Sequence, residues 1–245
     1  MNRFLLDKID PSDKIAVLDD PEQLHHLRDV LRLKPGELIG VFDRQGNEGI
    51  AQVVVVGAKK AELEIKQSKT AGSFDLRLTV ACAIPKKAKI DEIIDKLTQL
   101  GVDCIVPLET ARVIVRMDQH KKLQRYQRWE KIVLSALKQS QSSKFTALKP
   151  VMGFEALLAA SGDFDLKLIP TLEGPRKTLS DIFSRSSRRF KRIIVLIGPE
   201  GDFSPQEVSL AKAAGFVPVT LGQQVLRVDT AAIGVASFIK FNAQR

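Results

Sequence analysis

From about residue 76 to the end of the chain, short apolar runs rich in β-branched residues alternate with segments that carry a helical stripe. LRLTVACAI, CIVPL, DLKLIP, IIVLI and VPVTL read as strands. The stretches between them read as crossovers, so the pattern predicts an α/β domain with a largely parallel sheet. The clearest helix is expected over residues 87–100, where Ile90, Ile93, Ile94, Leu97 and Leu100 share a face and Gly101 supplies a stop. A long helix is predicted from a cap at Asp118 to about Ser140, with shorter ones near 154–160 and 179–183. Ser204, Pro205 and Glu207 form a capping-box start for a helix that Gly215 ends. A last helix is expected near 230–241.

The first seventy or so residues follow another rhythm. RFLL opens them. Asp20 caps a short helix with Pro21 at its first position and Gln23 placed to complete a capping box. Leu24, Leu27 and Leu31 fall on one face, with His25, His26, Arg28 and Arg32 around the others. ELIGVFD, IAQVVVV and AELEIKQ then read as strands, the first two joined by a tight turn at Arg44, Gln45, Gly46 and Asn47. Several strands and one short helix suggest a small β-barrel. The polar stretch 67–73 reads as a linker.

Charge narrows the partners. Thirty-eight Lys and Arg against 29 Asp and Glu leave a net charge of +9, which favours a polyanion such as RNA or DNA. No basic amphipathic anchor points to a membrane. The N-terminal MNRFLLDKID has neither a signal peptide's pattern nor a span, so a cytoplasmic location is expected. Cys82 and Cys104 lie in apolar runs and are expected to be buried thiols. His25, His26 and His120 have no metal-ligand spacing, so no metal is expected.

In an open α/β sheet, ligands collect beyond the carboxyl ends of the strands. Three such exits follow one another: IPTLEGP after DLKL, GPEGDFS after IIVLI, and LGQQVLRVDTA after VPVT. Gly198 and Gly201 let backbone approach a flat ring closely. GPEG is neither a dinucleotide fingerprint nor a P-loop, so no phosphate cradle is evident; taken alone, it is more readily a plain βα turn. The small residues Ala231, Ala232, Gly234 and Ala236 suit a close helix contact, a dimer interface included.

The long helix carries Lys121, Lys122, Arg125, Arg128, Lys131 and Lys138, with Tyr126 and Trp129 among them. The charges suit RNA; for the aromatics, anchoring in the core is the favoured reading. The basic run 185–192 reads first as a solvated loop and second as a phosphate contact.

Together these segments resemble one family. LIGPEGDFSPQEVSLAKAAGFVPVTLGQQVLRVDTA is similar to the C-terminal signature of the ribosomal RNA small subunit methyltransferase E family. HHLRDVLRLKPGE, IPKKAKIDEIIDKLTQLGVDCIVPL and RWEKIVLSALKQS agree in the same order, so the likeness spans nearly the whole chain. The resemblance implies a PUA-like RNA-binding β-barrel over residues 1–70 and a SPOUT methyltransferase domain over 73–245, with a trefoil knot. It implies a homodimer that moves a methyl group from S-adenosylmethionine to N3 of one uridine in 16S rRNA of the small ribosomal subunit.

Carried over by position, the cofactor is expected at Thr171 and Leu172 in the first exit, and at Leu196, Ile197, Gly198, Pro199, Glu200 and Gly201 in the second. In the third it is expected at Leu221, Gly222, Val225, Leu226, Arg227, Thr230 and Ala231. Arg227 is the candidate to stabilise charge on the uracil oxygens, and Glu200 to take the N3 proton or brace its loop. Arg28, Arg32, Lys121, Lys122, Arg125, Arg128 and Lys144 are the candidate RNA contacts. The chain departs from the family pattern in three places. Asp202 stands where a glycine is usual, Asp229 where a glutamate is usual, and residues 135–144 lack the usual acid and arginine. Ribose 2′-O methylation by a related enzyme, a non-catalytic ribosome-assembly protein, and an α/β enzyme acting on a small molecule are the rival readings.

Overall fold

The computed structural model describes residues 1–10, 12–70, 76–85, 89–112, 118–142, 144–184 and 190–242. They fall into two compact units. One comprises Met1–Ser73 with Leu137–Phe145, the other Phe74–Ala136 with Thr146–Arg245.

The first unit is a curled five-stranded sheet. Its strands are β1 (Arg3–Leu6), β2 (Ile15–Leu18), β3 (Leu38–Asp43), β4 (Glu48–Val56) and β5 (Ala61–Lys69), in the order β1-β3-β4-β5-β2. β1 pairs parallel to β3, and the other pairs are antiparallel. Two register shifts in β4, at Ile50/Ala51 and Val53/Val55, bend the sheet and help it wrap around its core. That core is Phe4, Leu6, Leu18, Ile39, Val41 and Leu63, closed by Leu24 and Leu27 from the helical segment. The turn between β3 and β4 is organised by Asp43, a fully buried carboxylate. It accepts from the backbone of Ile9, Gln45 and Asn47 and from the Asn47 amide, at 2.8–3.0 Å, which is how a buried charge is made tolerable.

Three details differ from the sequence reading. Asp20 does cap α1 (Pro21–His25), its carboxylate accepting from Gln23 N–H at 2.8 Å. The Gln23 side chain does not complete the box. It bonds both backbone groups of Leu5, at 2.8 and 2.9 Å, because a long amide facing β1 satisfies a strand edge better than its own helix start. IAVL forms β2, which the short, half-exposed run did not announce. Residues 67–69 of the expected linker are strand, paired with Glu48, Gly49 and Ile50; residues 71–73 lie outside the described residues. After α1 the chain continues as one π-helical turn, His26–Val30.

The second unit holds a parallel sheet of β6 (Arg77–Ala83), β7 (Cys104–Glu109), β8 (Ala147–Leu148), β9 (Met152–Gly153), β10 (Leu166–Pro170), β11 (Lys177–Thr178), β12 (Arg192–Ile197) and β13 (Val217–Thr220). The order is β11-β13-β10-β12-β6-β7-β8, with β9 also on β7. Its helices are α2 (Lys89–Gln99), α3 (Gln119–Ser140), α4 (Phe154–Ala159), α5 (Leu179–Ser184), α6 (Pro205–Ala213) and α7 (Val228–Asn242). Central strands β6 and β12 are buried along nearly their whole length, as strands covered on both faces must be. α7 packs on β6, β12 and α2. On the other face, Ala81, Val106, Ile194 and Leu196 meet Phe154 and Leu157 of α4 and Ala211 of α6. The Ser204 capping box is present, with both reciprocal bonds.

α2 begins at Lys89 in the described residues, because 86–88 lie outside them. Of the basic run 185–192, residues 185–189 also lie outside. In α3, Trp129 is only 1% exposed, and Tyr126 donates to the Leu148 carbonyl at 3.2 Å. Both aromatics are thus anchored in the protein, as favoured from sequence.

Candidate active site

β13, β10 and β12 are neighbours in the sheet, so the three exits expected to carry ligand leave the same edge side by side. Between them lies an open cleft walled by residues of all three loops.

Of the expected cofactor residues, Thr171, Leu172, Ile197, Gly198, Pro199, Glu200, Leu221, Gly222, Val225, Leu226 and Ala231 line this cleft. Four others do not. Leu196 points into the apolar core one residue before the strand ends, since adjacent strand residues face opposite sides. Gly201 is turned toward Arg112, which donates to its carbonyl. Arg227 and Thr230 are exposed outside the lining. Sequence reasoning missed Pro170, Arg176, Val219, Thr220, Gln224 and Val228 as wall residues, and named Asp202 only as a departure. Arg176 had a signal: it is the cation of the first exit, and it donates to the Thr171 carbonyl at 3.0 Å.

The loops are built from local chemistry. Gly222 sits at φ 130, beyond the ordinary range for a side-chain-bearing residue. The Thr220 hydroxyl bonds both backbone groups of Gly222, at 2.9 and 3.3 Å, which fixes the turn. Asp202 takes the left-handed conformation at φ 60, so the turn keeps its shape without glycine. Its carboxylate accepts from the Thr171 hydroxyl at 2.9 Å, Leu172 N–H at 2.8 Å and Phe203 N–H at 2.8 Å. Glu207, besides capping α6, accepts from Ala111 N–H at 2.8 Å and so ties the segment after β7 to the second loop.

Walls of Ile197, Val219, Leu221, Leu226 and Val228 offer apolar faces to a flat ring. Glu200 and Asp202 supply negative charge on the same cleft, and Arg176 a positive one. Burial pushes the Cys82 thiol up to about 12, with the charges of Glu200 and Asp229 adding to the effect. Cys82, fully buried, is therefore a neutral core thiol rather than a nucleophile. Asp229 stands in the first turn of α7, where a carboxylate is favoured. Its Oδ2 lies 3.8 Å from Lys89 Nζ, and its buried Oδ1 has no hydrogen-bond partner among the described residues.

The candidate RNA contacts divide between the units. Arg28, Arg32 and Lys144 belong to the first, and Lys121, Lys122, Arg125 and Arg128 to the second. Arg28 is committed to Asp29 through two bonds of 2.8 Å and to the Ala58 carbonyl at 3.1 Å. Arg32 holds φ 52 at the end of the π-helical turn. Lys122 pairs with Glu109 at 2.8 Å, Arg128 with Asp91, and Lys121 with Asp118 at 3.6 Å.

The protein is thus of a two-part α/β class: a parallel sheet with helices on both faces, whose three adjacent strand exits share one cleft, joined in sequence to a curled β-sheet unit. The family model for an RNA methyltransferase domain matches residues 73–240, and that for an RNA methyltransferase PUA domain matches residues 18–66. The ribosomal RNA small subunit methyltransferase E of Synechocystis is 32% identical, over 85% of this chain and 67% of its own length. That of Bacillus subtilis is 27% identical, over 91% and 89%. The crystal structure of the Neisseria gonorrhoeae ribosomal RNA small subunit methyltransferase E, bound to S-adenosyl methionine, superposes with a TM-score of 0.85 at 31% identity, covering 98% of this chain and 97% of that one. This chain belongs to the ribosomal RNA small subunit methyltransferase E family.

Proposed function

We propose that this protein transfers a methyl group from S-adenosylmethionine to N3 of one uridine in 16S rRNA of the small ribosomal subunit, as a homodimer in the cytoplasm. The observation that carries the reading is the cleft shared by the three strand exits. Its apolar walls and its two carboxylates suit a ligand with a flat adenine and a cationic sulfonium end. Residues 1–70 serve as the PUA-like RNA-binding domain and 73–245 as the SPOUT catalytic domain. The return of the chain after β13 to pack α7 against β6, β12 and α2 supports the knotted tail that this family assignment carries.

The bound sulfonium supplies an activated methyl whose departure leaves a neutral thioether. What remains for the protein is alignment and charge. Thr171, Leu172, Ile197, Gly198, Leu221, Gly222 and Leu226 hold the cofactor, largely through backbone and apolar surface. The neutral imide N3 is a poor nucleophile, so its proton must leave as the N–C bond forms. Glu200, on the cleft wall, accepts it. Arg227, exposed at the start of α7, stabilises the charge that develops on the uracil oxygens. The uridine reaches the cleft only unpaired or flipped out. Arg28, Arg32, Lys121, Lys122, Arg125, Arg128 and Lys144 supply phosphate contacts.

The test is to incubate small subunits from a strain lacking the gene with the purified protein and cofactor, digest the rRNA and identify the methylated nucleoside by mass spectrometry. Formation of 3-methyluridine is expected. A 2′-O-methyl nucleoside points to the ribose reading. No product, together with no cofactor binding by calorimetry, points to a non-catalytic assembly protein.

A further inference from the structure

We propose that Asp202 is a positioning residue of the cleft: it clasps the first exit loop to the second, so that the wall at Thr171 and Leu172 stands where the cofactor meets it. The proposal rests on the cofactor reading above. Asp202 is at φ 60, a conformation that glycine takes freely and aspartate only with some strain. Its side chain accounts for its presence. Oδ2 accepts from the Thr171 hydroxyl at 2.9 Å and from Leu172 N–H at 2.8 Å, and Oδ1 accepts from Phe203 N–H at 2.8 Å. Donors thus converge on both oxygens, and two of them come from a loop some thirty residues earlier in the chain.

A carboxylate suits this place because it accepts at every position and its charge strengthens each bond. An amide turns its own donors toward either Leu172 N–H or Phe203 N–H, whichever way it is flipped. The surroundings hold the clasp in place. Thr171 N–H bonds the Val219 carbonyl at 3.2 Å, and Arg176 donates to the Thr171 carbonyl at 3.0 Å. A Cβ at Gly198 would come within 3.1 Å of the Phe203 ring and 3.3 Å of Asp202 Oδ1. The bare glycine therefore leaves room for the carboxylate to fold back. Asp202 itself lines the cleft.

The experiment uses the full chain, with S-adenosylmethionine as the titrant in calorimetry and as the varied substrate in kinetics. Asp202→Asn should raise Kd and KM for S-adenosylmethionine about tenfold, the loss of a charge-assisted bond. Thr171→Val, which keeps the Leu172 bond, should raise them about threefold. kcat at saturating cofactor and KM for RNA should stay within about twofold, since only the loop's position changes, and Tm should fall by no more than a few degrees. The double variant should be no worse than Asp202→Asn, because both changes cut one link.

Unchanged cofactor affinity in Asp202→Asn overturns the proposal, and so does a parallel fall in kcat, RNA affinity and Tm. Should Asp202→Asn fail to fold, Asp202→Gly decides, since glycine takes φ 60 freely: a rise in the Kd for S-adenosylmethionine supports the clasp, and no change overturns it. An unaltered chain that binds no S-adenosylmethionine sinks the cofactor reading itself. Normal binding by the unaltered chain and by both variants sinks this proposal alone.

Discussion

Trp129 Nε1 donates to Asp91 Oδ1 across 3.0 Å, joining the middle of α3 to the first turn of α2. The indole is buried, so its N–H needs this acceptor. Asp91 also pairs with Arg128, whose side chain is 67% exposed. The two partners should therefore differ in weight. Asp91→Ala, which strands the buried N–H, should cost about 2 kcal/mol in urea unfolding. Arg128→Ala should cost no more than about 0.5 kcal/mol. Equal costs for the two would mean that the indole bond is not what holds α3 on α2.

Among the α3 cations, the Arg125 side chain makes no hydrogen bond or ion pair among the described residues, whereas Lys122 is held by Glu109 at 2.8 Å. If this helix meets phosphate, Arg125→Ala should weaken RNA binding and reduce the slope of log K against log salt by about 0.7–1. Lys122→Ala should do less, because the variant also releases a carboxylate that the lysine neutralised. A salt titration of binding to small-subunit rRNA measures both. An unchanged slope in Arg125→Ala removes the residue from the interface.

Asp29 offers a pH test within the first unit. Its hydrogen bonds from Arg28 hold the carboxyl down to about 2 against an ordinary 3.8, with burial opposing and His25 adding. A carboxyl with a depressed folded-state value contributes stability that is present above the unfolded value. That contribution is lost as pH falls through the folded one. The window here is roughly pH 4 down to 2. Carbon-detected NMR should place the Asp29 midpoint near 2, and Arg28→Gln should move it up toward 3.8. A midpoint already at the ordinary value in the unaltered chain would show that the Arg28 pair does not persist in solution.

The strand–helix rhythm made the second unit legible because each buried strand of a parallel sheet needs a continuous apolar run, and IIVLI and LRLTVACAI supply one. The exits could be named as ligand loops because strand ends are fixed once the strands are. What could not be read were features that depend on distant partners. β2 is four residues paired to β5, with no periodicity of its own. Gln23 serves β1 rather than its own helix. Residues 137–145 group with the first unit, where Lys138 lies 5.5 Å from the Phe4 ring centroid and Arg44 5.3 Å from that of Phe145. Within the site, Leu196 was misplaced for a local reason, since one step along a strand turns a wall residue into a core residue. Asp202 was visible only as a departure, because its function lies in bonds to Thr171 and Leu172 across two strands.

Arg227 is exposed, lies just before the first turn of α7, and makes no side-chain hydrogen bond or ion pair among the described residues. Its carbonyl accepts from Ala231 N–H at 2.8 Å, which fixes the backbone while leaving the guanidinium unengaged. A cation placed so is outside the cleft lining, so on the proposed reading its removal should separate binding from chemistry. Arg227→Ala should lower kcat by about 10²-fold or more, the scale for losing a group that stabilises developing charge. The Kd for S-adenosylmethionine should stay within about twofold, since the wall residues are untouched. Arg227→Lys should recover only part of the rate, because a point charge replaces a fork able to face two atoms of the base. Single-turnover methylation of small subunits gives the rate, and calorimetry gives the affinity. Full transfer by Arg227→Ala with normal cofactor binding would leave the uracil charge to another group, whereas a loss of cofactor affinity equal to the loss of rate would place Arg227 in the cofactor wall after all.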